Sequence, residues 1–445
     1  MVSYVFFHSF LSSCHSVTLL SSFFSLHGLE HAEGVREHVA ARKAMDVTIV
    51  GGGLIGVEMT ESLVDAGCRV TLVEMRPQLL RGLDWEMAEH VRMEFERRGV
   101  RVALNTRVTG FAGENRVERV VTEEGSWPAD LVIMGVGVQP NSELAVRAGL
   151  SVCPNGGICV DEHMRTSDPD IYAAGDCVES RHMLTNCSTY APYGGIANRQ
   201  GRVAADSICG VESEFPGVLD TAICKTFSLT VGRTGLTEEM AVELGYEVVT
   251  AHVPSLDRAH FMPDAGIVMI KLIVDANDRR LLGLQAIGPG DVSKRLDVAV
   301  TAIAGGMSID EVANLDLGYA PAYSTAMDCI HTACNVARNK LDGRMPSIGP
   351  RELHTMMEQA EDFCLLDVRT HGEVDERKLE GAMHIPLPAL RARLGELPRD
   401  EPIVIYSWAS MSAYEASIIL RNHGLMQVRV LDGGLAMWPY DSIRA

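Results

Sequence analysis

The sequence predicts a mixed α/β chain: a Rossmann-like nucleotide-binding domain, an α+β domain and a small C-terminal α/β domain. Three observations predict it. Val47–Glu74 reads VTIVGGGLIGVEMTESLVDAGCRVTLVE: a β-branched run, a glycine cluster, a helical segment and a second apolar run ending in an acid. From Thr221 the pattern changes to longer strands followed by helices, which marks a separate α+β unit. Beyond residue 350, three short apolar runs (Phe363–Leu366, Ile403–Tyr406, Val428–Leu431) alternate with helical stretches. At 445 residues the chain has room for about three domains.

Residues 1–25 form an atypical leader. It has no Lys or Arg to supply the charged start of a signal peptide, and its serines and histidines interrupt any membrane span. Residues 26–155 form the dinucleotide domain. Gly51, Gly53 and Gly56 fill G-x-G-x-x-G: the first permits a tight turn, the second lets backbone approach a pyrophosphate, and the third lets helix lie on strand. The helix start offers free N–H groups to phosphate. Glu74, at the end of the second strand, is placed to bond both ribose hydroxyls and repel a 2′-phosphate, which favours NADH over NADPH.

Trp85–Arg98 has helical spacing, and Val100–Val108 and Val117–Val121 read as strands. Asp130–Asn141 (DLVIMGVGVQPN) is a buried strand leaving through Gly135 and Gly137. Glycine there lets the strand end press on a nicotinamide nucleotide, and equally suits a plain strand-to-turn exit. In the next segment, 156–215, Ala174-Gly175-Asp176 ends a strand with a small residue, a glycine and an acid, which suits contact with a polyol such as a flavin ribityl chain. Residues 216–340 form the α+β domain, 341–350 a Gly- and Pro-containing linker, and 351–445 the last domain. Cys329 and Cys334 imitate a redox pair, but positions i and i+5 do not share a helix face.

A formal net charge of -20 argues against binding nucleic-acid phosphates. Eleven cysteines without C-x-x-C or zinc-type spacing fit reduced thiols in a cytoplasmic protein, with no metal site and no membrane partner expected.

Residues 26–340 resemble the pyridine nucleotide-disulfide oxidoreductases of the coenzyme A-disulfide reductase and NADH oxidase type. The resemblance rests on VGGGLIGVE, IMGVGVQPN, IYAAGDCVE, APYGGIANRQGR, TAICKTFSLTVGRTGLTE and LDLGYAPAYS, in the family's order. Residues 351–440 resemble a rhodanese domain through LLDVR, HIPL and LDGGLAMW. The resemblance implies FAD and NADH as cofactors, a disulfide such as that of coenzyme A as substrate, and a homodimer built on residues 216–340. It places Glu58 near the nicotinamide and Asp176 on the flavin ribityl chain, makes 156–215 the remnant of the FAD-binding domain, and marks Tyr319 and Tyr323 as residues of the partner's active site.

Three departures qualify it. The family's first G-x-G-x-x-G, for the FAD pyrophosphate, and the redox cysteine after it have no counterpart, since Cys14 lacks the family's surroundings. In the rhodanese loop, Ser407 stands where the family has its cysteine nucleophile, and Ser410 and Ser412 replace the loop glycine and arginine. A hydroxyl cannot carry a transferable sulfur, so sulfurtransferase activity is expected to be absent. Where a second tyrosine pair is usual, the chain has Phe261-Met262. The expected function is a flavin-dependent NADH:disulfide oxidoreductase, incomplete in this chain; the alternative is a non-catalytic NADH-binding protein.

Overall fold

The computed structural model describes residues 22–26, 28–42, 45–440 and 442. It divides into two compact units, one of residues 1–81 and 91–227 and one of 82–90 and 228–445. Each is taken by itself.

The first unit is built on a five-stranded parallel sheet of order β1-β8-β2-β3-β4, with β1 Phe23–Ser25, β2 Asp46–Val50, β3 Arg69–Val73, β4 Arg101–Ala103 and β8 Leu131–Met134. Val47 and Ile49 of β2, Leu72 of β3 and Leu131, Val132 and Ile133 of β8 are buried. Their near-continuous apolar runs suit parallel strands covered on both faces. Helix α1 (Leu29–Ala40) precedes β2, and α2 (Leu54–Asp65) crosses from β2 to β3. A three-stranded antiparallel meander of β5 (Val108–Ala112), β6 (Arg119–Thr122) and β7 (Ser126–Pro128) interrupts the parallel order.

Phe23–Ser25, the end of the stretch read as an atypical leader, pairs in parallel with β8, Phe23 opposite Val132. The Phe23 ring meets Phe111 edge-on, with centroids 5.0 Å apart, so apolar contact recruits this stretch to the sheet edge. Cys14 and the rest of the leader lie outside the described residues.

The second unit contains an antiparallel sheet of order β12-β15-β14-β13: β12 Leu229–Gly235, β13 Val248–Leu256, β14 Ile267–Asp275 and β15 Leu281–Gly288. Ala222–Val231, read as one strand, is broken at Phe227 (φ 49°) into β11 (Ala222–Thr226) and β12. Strand β13 was not foreseen because His252 and Pro254 interrupt its apolar pattern. It ends the four-strand order, where a proline is tolerated. The C-terminal module is a five-stranded parallel sheet of order β16-β20-β19-β17-β18, with β16 Ser347–Ile348, β17 Cys364–Asp367, β18 Met383–His384, β19 Ile403–Tyr406 and β20 Val428–Leu431.

Candidate nucleotide and redox sites

The turn between β2 and α2 is shaped by contacts that leave no room for side chains. Gly51 has φ 112°, and a Cβ there would stand 2.3 Å from the Gly135 carbonyl oxygen. A Cβ on Gly56 would stand 2.0 Å from the Gly51 carbonyl oxygen, so this glycine closes the helix onto the strand. Gly53, at the start of α2, is exposed and faces open space, with no atom within 4 Å of its would-be Cβ. Two glycines thus serve packing and one keeps a surface clear. This cradle fits the pyrophosphate of a dinucleotide, with the first N–H groups of α2 beside it.

Glu74 is fixed from two sides. The Gly52 N–H donates to its Oε2 at 2.7 Å and the Arg76 N–H donates to its Oε1 at 2.9 Å. A carboxylate so oriented suits a ribose at the edge of the cradle, since it need not first be ordered. Glu58 lies one turn into α2, and partial burial raises its carboxyl above the ordinary range. Behind it, Cys224 is buried, and burial together with the Glu58 carboxylate pushes its thiol up to about 12. Gly135 lies under the Gly51 turn, its N–H donating to the Val50 carbonyl at 2.7 Å, while Gly137 (φ 101°) opens onto free space.

Gly175 (φ 87°) donates its N–H to Gln200 Oε1 at 2.9 Å, and the buried Gln200 amide donates to Ser180 Oγ at 3.0 Å. The turn therefore holds Asp176 with its side chain exposed. Tyr190 donates its hydroxyl to the Asp176 carbonyl at 2.9 Å, and burial with the Asp176 charge raises its phenol to about 12. An exposed carboxylate on a hydrogen-bonded turn fits a polyol such as the flavin ribityl chain; a second glycine loop for the FAD pyrophosphate does not occur in the sequence.

In the second unit, Tyr319 and Tyr323 are exposed, at 57% and 72%. Their loop touches the Phe261-Met262 loop through the Ala259 N–H, which donates to the Pro321 carbonyl at 3.1 Å. Phe261 is exposed as well. Cys329 and Cys334 are free, buried and pushed by burial up to about 12, as unsuited to redox pairing as their spacing suggested.

The rhodanese-like loop keeps its scaffold without its nucleophile. Asp367 and Arg369 form a buried ion pair at 2.7 Å, and Arg369 also donates to the carbonyls of Glu373 and Arg377. Ser407 is buried, its Oγ accepting from the Ala413 N–H at 3.2 Å. Ser410 adopts φ 67° where the family has glycine, its Oγ donating to the Leu431 carbonyl. Gly434 lets the loop close, since a Cβ there would meet the Ser407 carbonyl oxygen at 2.5 Å.

Two charged clusters escaped sequence reading because their members are distant in the chain. Asp84, Glu86 and Glu238 bring carboxylate oxygens within 4.8 Å of one another, and the buried Lys271 ammonium lies among them, bonded to Glu86, 2.6 Å from Glu238 and 2.9 Å from Asp84. The site is filled by the chain's own cation rather than open to a metal. Beside it, buried His252 hydrogen-bonds Asp432 at 2.8 Å and Glu86 at 3.2 Å, and Lys340 pairs with Asp432 at 2.8 Å. Cysteine use also differs from expectation: Cys153 and Cys159 are joined in a disulfide. Spacing could not show this, because a five-residue interval is neither C-x-x-C nor a scaffold pattern; only the hairpin brings the two together.

Comparison with known proteins agrees with these features. Residues 12–191 match the pyridine nucleotide-disulphide oxidoreductase family, 221–329 its dimerisation domain, and 349–439 the rhodanese-like domain. A CoA-dependent NAD(P)H sulfur oxidoreductase of Pyrococcus furiosus is 38% identical over 298 residues, 67% of this chain and 67% of that protein. An NADH oxidase of Methanocaldococcus jannaschii is 36% identical over 326 residues, 73% of this chain and 72% of that one. The chain thus spans about two thirds of the sulfur oxidoreductases' length. Among solved structures, an NAD-dependent persulfide reductase from A. fulgidus superposes with a TM-score of 0.89 at 42% identity, covering 94% of this chain and 76% of its own. Reduced Bacillus anthracis CoADR-RHD gives 0.88 at 35% identity, covering 95% and 75%. The chain belongs to the pyridine nucleotide-disulfide oxidoreductases, a family that uses FAD and NAD(P)H, and carries that family's dimerisation domain and a C-terminal rhodanese-like domain.

Proposed function

We propose that the chain is an NAD(P)H-dependent reductase of small-molecule disulfides or persulfides, of the coenzyme A-disulfide class. The observation that carries this is the cradle of Gly51, Gly53 and Gly56 with Glu74 already oriented at its rim. Gly53 and the α2 N-terminus hold the pyrophosphate, Glu74 accepts from the ribose hydroxyls and favours NADH, and Glu58 and Gly137 border the nicotinamide. Asp176 accepts from the flavin ribityl hydroxyls. When bound, FAD supplies hydride acceptance and electron delivery to sulfur. The exposure of Phe261, Tyr319 and Tyr323, three large aromatic side chains of the dimerisation-type domain, supports a homodimer in which one copy completes the other's substrate site.

The non-catalytic reading also has an observation in its favour. Wherever a free cysteine's thiol is shifted, among the described residues, the shift is upward through burial, as at Cys68, Cys177, Cys224, Cys329, Cys334 and Cys364. None is poised as a thiolate. The purified chain is to be tested for NADH binding by fluorescence, for visible flavin absorbance, and for NADH oxidation driven by coenzyme A disulfide. Binding with bound flavin and turnover supports the reductase. Binding without flavin or turnover leaves the NADH-binding protein, and absence of NADH binding refutes both.

A further inference from the structure

Among the described cysteines, eight are free and Cys153 and Cys159 are bonded to each other. The pair spans a hairpin that hydrogen bonds already hold. The Cys153 N–H donates to the Gly157 carbonyl at 2.8 Å, the Gly156 N–H to the Cys153 carbonyl at 2.8 Å, and the Cys159 N–H to the Ser151 carbonyl at 3.1 Å. Gly156 (φ 88°) makes the turn, and Asn155 Oδ1 accepts from the Gly157 N–H at 2.9 Å. A covalent bond closing so short a loop constrains the unfolded chain less than one closing a long loop would. Both cysteines are partly exposed and the tip residues Pro154 and Asn155 are exposed, so the pair lies at the surface where a small thiol can approach it. An isolated bonded pair among the described cysteines, the others free, suits exchange better than a disulfide scaffold.

The far side of the hairpin leads to the flavin turn. Ile158 pairs with Val178; its N–H donates to the Cys177 carbonyl at 2.8 Å, and its carbonyl accepts from the Glu179 N–H at 3.1 Å. Gly157 lies so close that a Cβ there would stand 2.8 Å from the Glu179 nitrogen. Cys177 directly follows Asp176. A change at Cys159 therefore acts on a strand hydrogen-bonded to the segment just behind the exposed carboxylate.

We propose that Cys153 and Cys159 form a second redox site, a dithiol/disulfide couple that exchanges with aliphatic thiols and whose state is transmitted through Ile158 to the Gly175–Glu179 segment. The exchange is balanced by the thiol alone. One thiolate attacks a sulfur of the pair, breaking the S–S bond, forming a mixed disulfide and releasing the other cysteine as a thiolate that takes a proton from water. A second thiolate attacks the mixed disulfide, freeing the remaining cysteine and leaving as the small disulfide. Two thiols are oxidised, and the protein bond gains two electrons. In reverse, the dithiol reduces a small disulfide. This does not depend on dinucleotide binding at Gly51.

The test uses the folded full chain, incubated with coenzyme A in ratios from all disulfide to all thiol, then quenched by alkylation and mapped by mass spectrometry. The expected result is a linked 153/159 pair at the oxidising end and two alkylated residues at the reducing end, with no denaturant present. Hydrogen exchange should show protection in 173–180 falling about tenfold on reduction. A Cys153→Ser, Cys159→Ser variant with an unchanged circular dichroism spectrum should lose the redox dependence of that exchange while still folding. The proposal is overturned if both residues are alkylated even in excess disulfide, or if the bond yields to thiol only after unfolding. Equal protection of 173–180 in both redox states overturns the coupling.

Discussion

Replacing Gly51 and Gly53 separately by alanine divides what the glycine turn does for the fold from what it does for a ligand. At Gly51 the backbone has φ 112°, so an L side chain is strained there by about 1–3 kcal/mol. Its Cβ would stand 2.3 Å from the Gly135 oxygen, which requires a shift of about 1 Å to reach ordinary contact. That carbonyl cannot move alone, because the Gly135 N–H is tied to Val50 at 2.7 Å, so β2 and β8 must part at their ends. Overpacking of this kind costs about 1–3 kcal/mol more, which places Gly51→Ala about 2–6 kcal/mol below the parent. Gly53→Ala has ordinary backbone angles (φ -79°) and no atom within 4 Å of its new Cβ, so its stability should stay within about 0.5 kcal/mol. Its methyl group nevertheless occupies the ground where backbone meets pyrophosphate, and NADH affinity should fall about tenfold or more, a loss of about 1.4 kcal/mol. Urea denaturation gives the first quantity and nicotinamide fluorescence the second. If Gly53→Ala binds NADH as tightly as the parent, the cradle is only a packing device and the dinucleotide assignment fails.

Other outcomes follow from the same geometry. Glu74→Ala removes the acceptor facing the ribose, so the ratio of NADPH to NADH affinity should rise; an unchanged ratio in paired titrations would remove Glu74 from the site. Lys271→Met leaves Asp84, Glu86 and Glu238 facing one another without their shared cation, and should destabilise the second unit by about 3–5 kcal/mol by urea titration. For His252, burial lowers the pKa but the bonds to Asp432 and Glu86 outweigh it, so the value is raised above 6.5. Its contribution is therefore complete below 6.5 and lost as pH rises through the raised value, whereas Asp432, held down at about 2 by Lys340 and His252 against its burial, contributes above 3.8 and loses its share as pH falls toward about 2. His252→Asn should flatten the alkaline limb of stability against pH, and an unaltered limb would contradict that assignment. The parent should show no thiosulfate-to-cyanide transfer, and Ser407→Cys should gain some, because the Ala413 N–H still points at that side chain; no gain would mean the loop has lost more than its sulfur.

What sequence reading could reach was set by how local each feature is. The turn around Gly51 was legible because its three glycines and the acid after β3 answer to steric demands within one βαβ unit. Strands β19 and β20 were placed at their observed bounds because each is a short β-branched, apolar stretch, broken only by Arg429 in β20. Strand β13 was missed because its proline and histidine are tolerated only through its place in a sheet made by distant segments. The Glu86–His252–Asp432–Lys340 cluster was invisible for the same reason, since each residue looks like an ordinary surface charge until folding buries it. Cys153 and Cys159 lay between these cases: close in sequence, but joined only by the hairpin at Gly156.

The contact of Asp432 with His252 and Lys340 bears on where this polypeptide can be divided. Asp432 stands in the LDGG stretch of the last module, while its two partners belong to the strand and helix before the linker. Cutting the chain at 341–350 would part the Asp432 carboxylate from the imidazole and the ammonium it now bonds, leaving three polar groups of one buried cluster without their partners. The rhodanese-like module, without its sulfur carrier, is a keystone of the unit before it rather than an appendage on a tether.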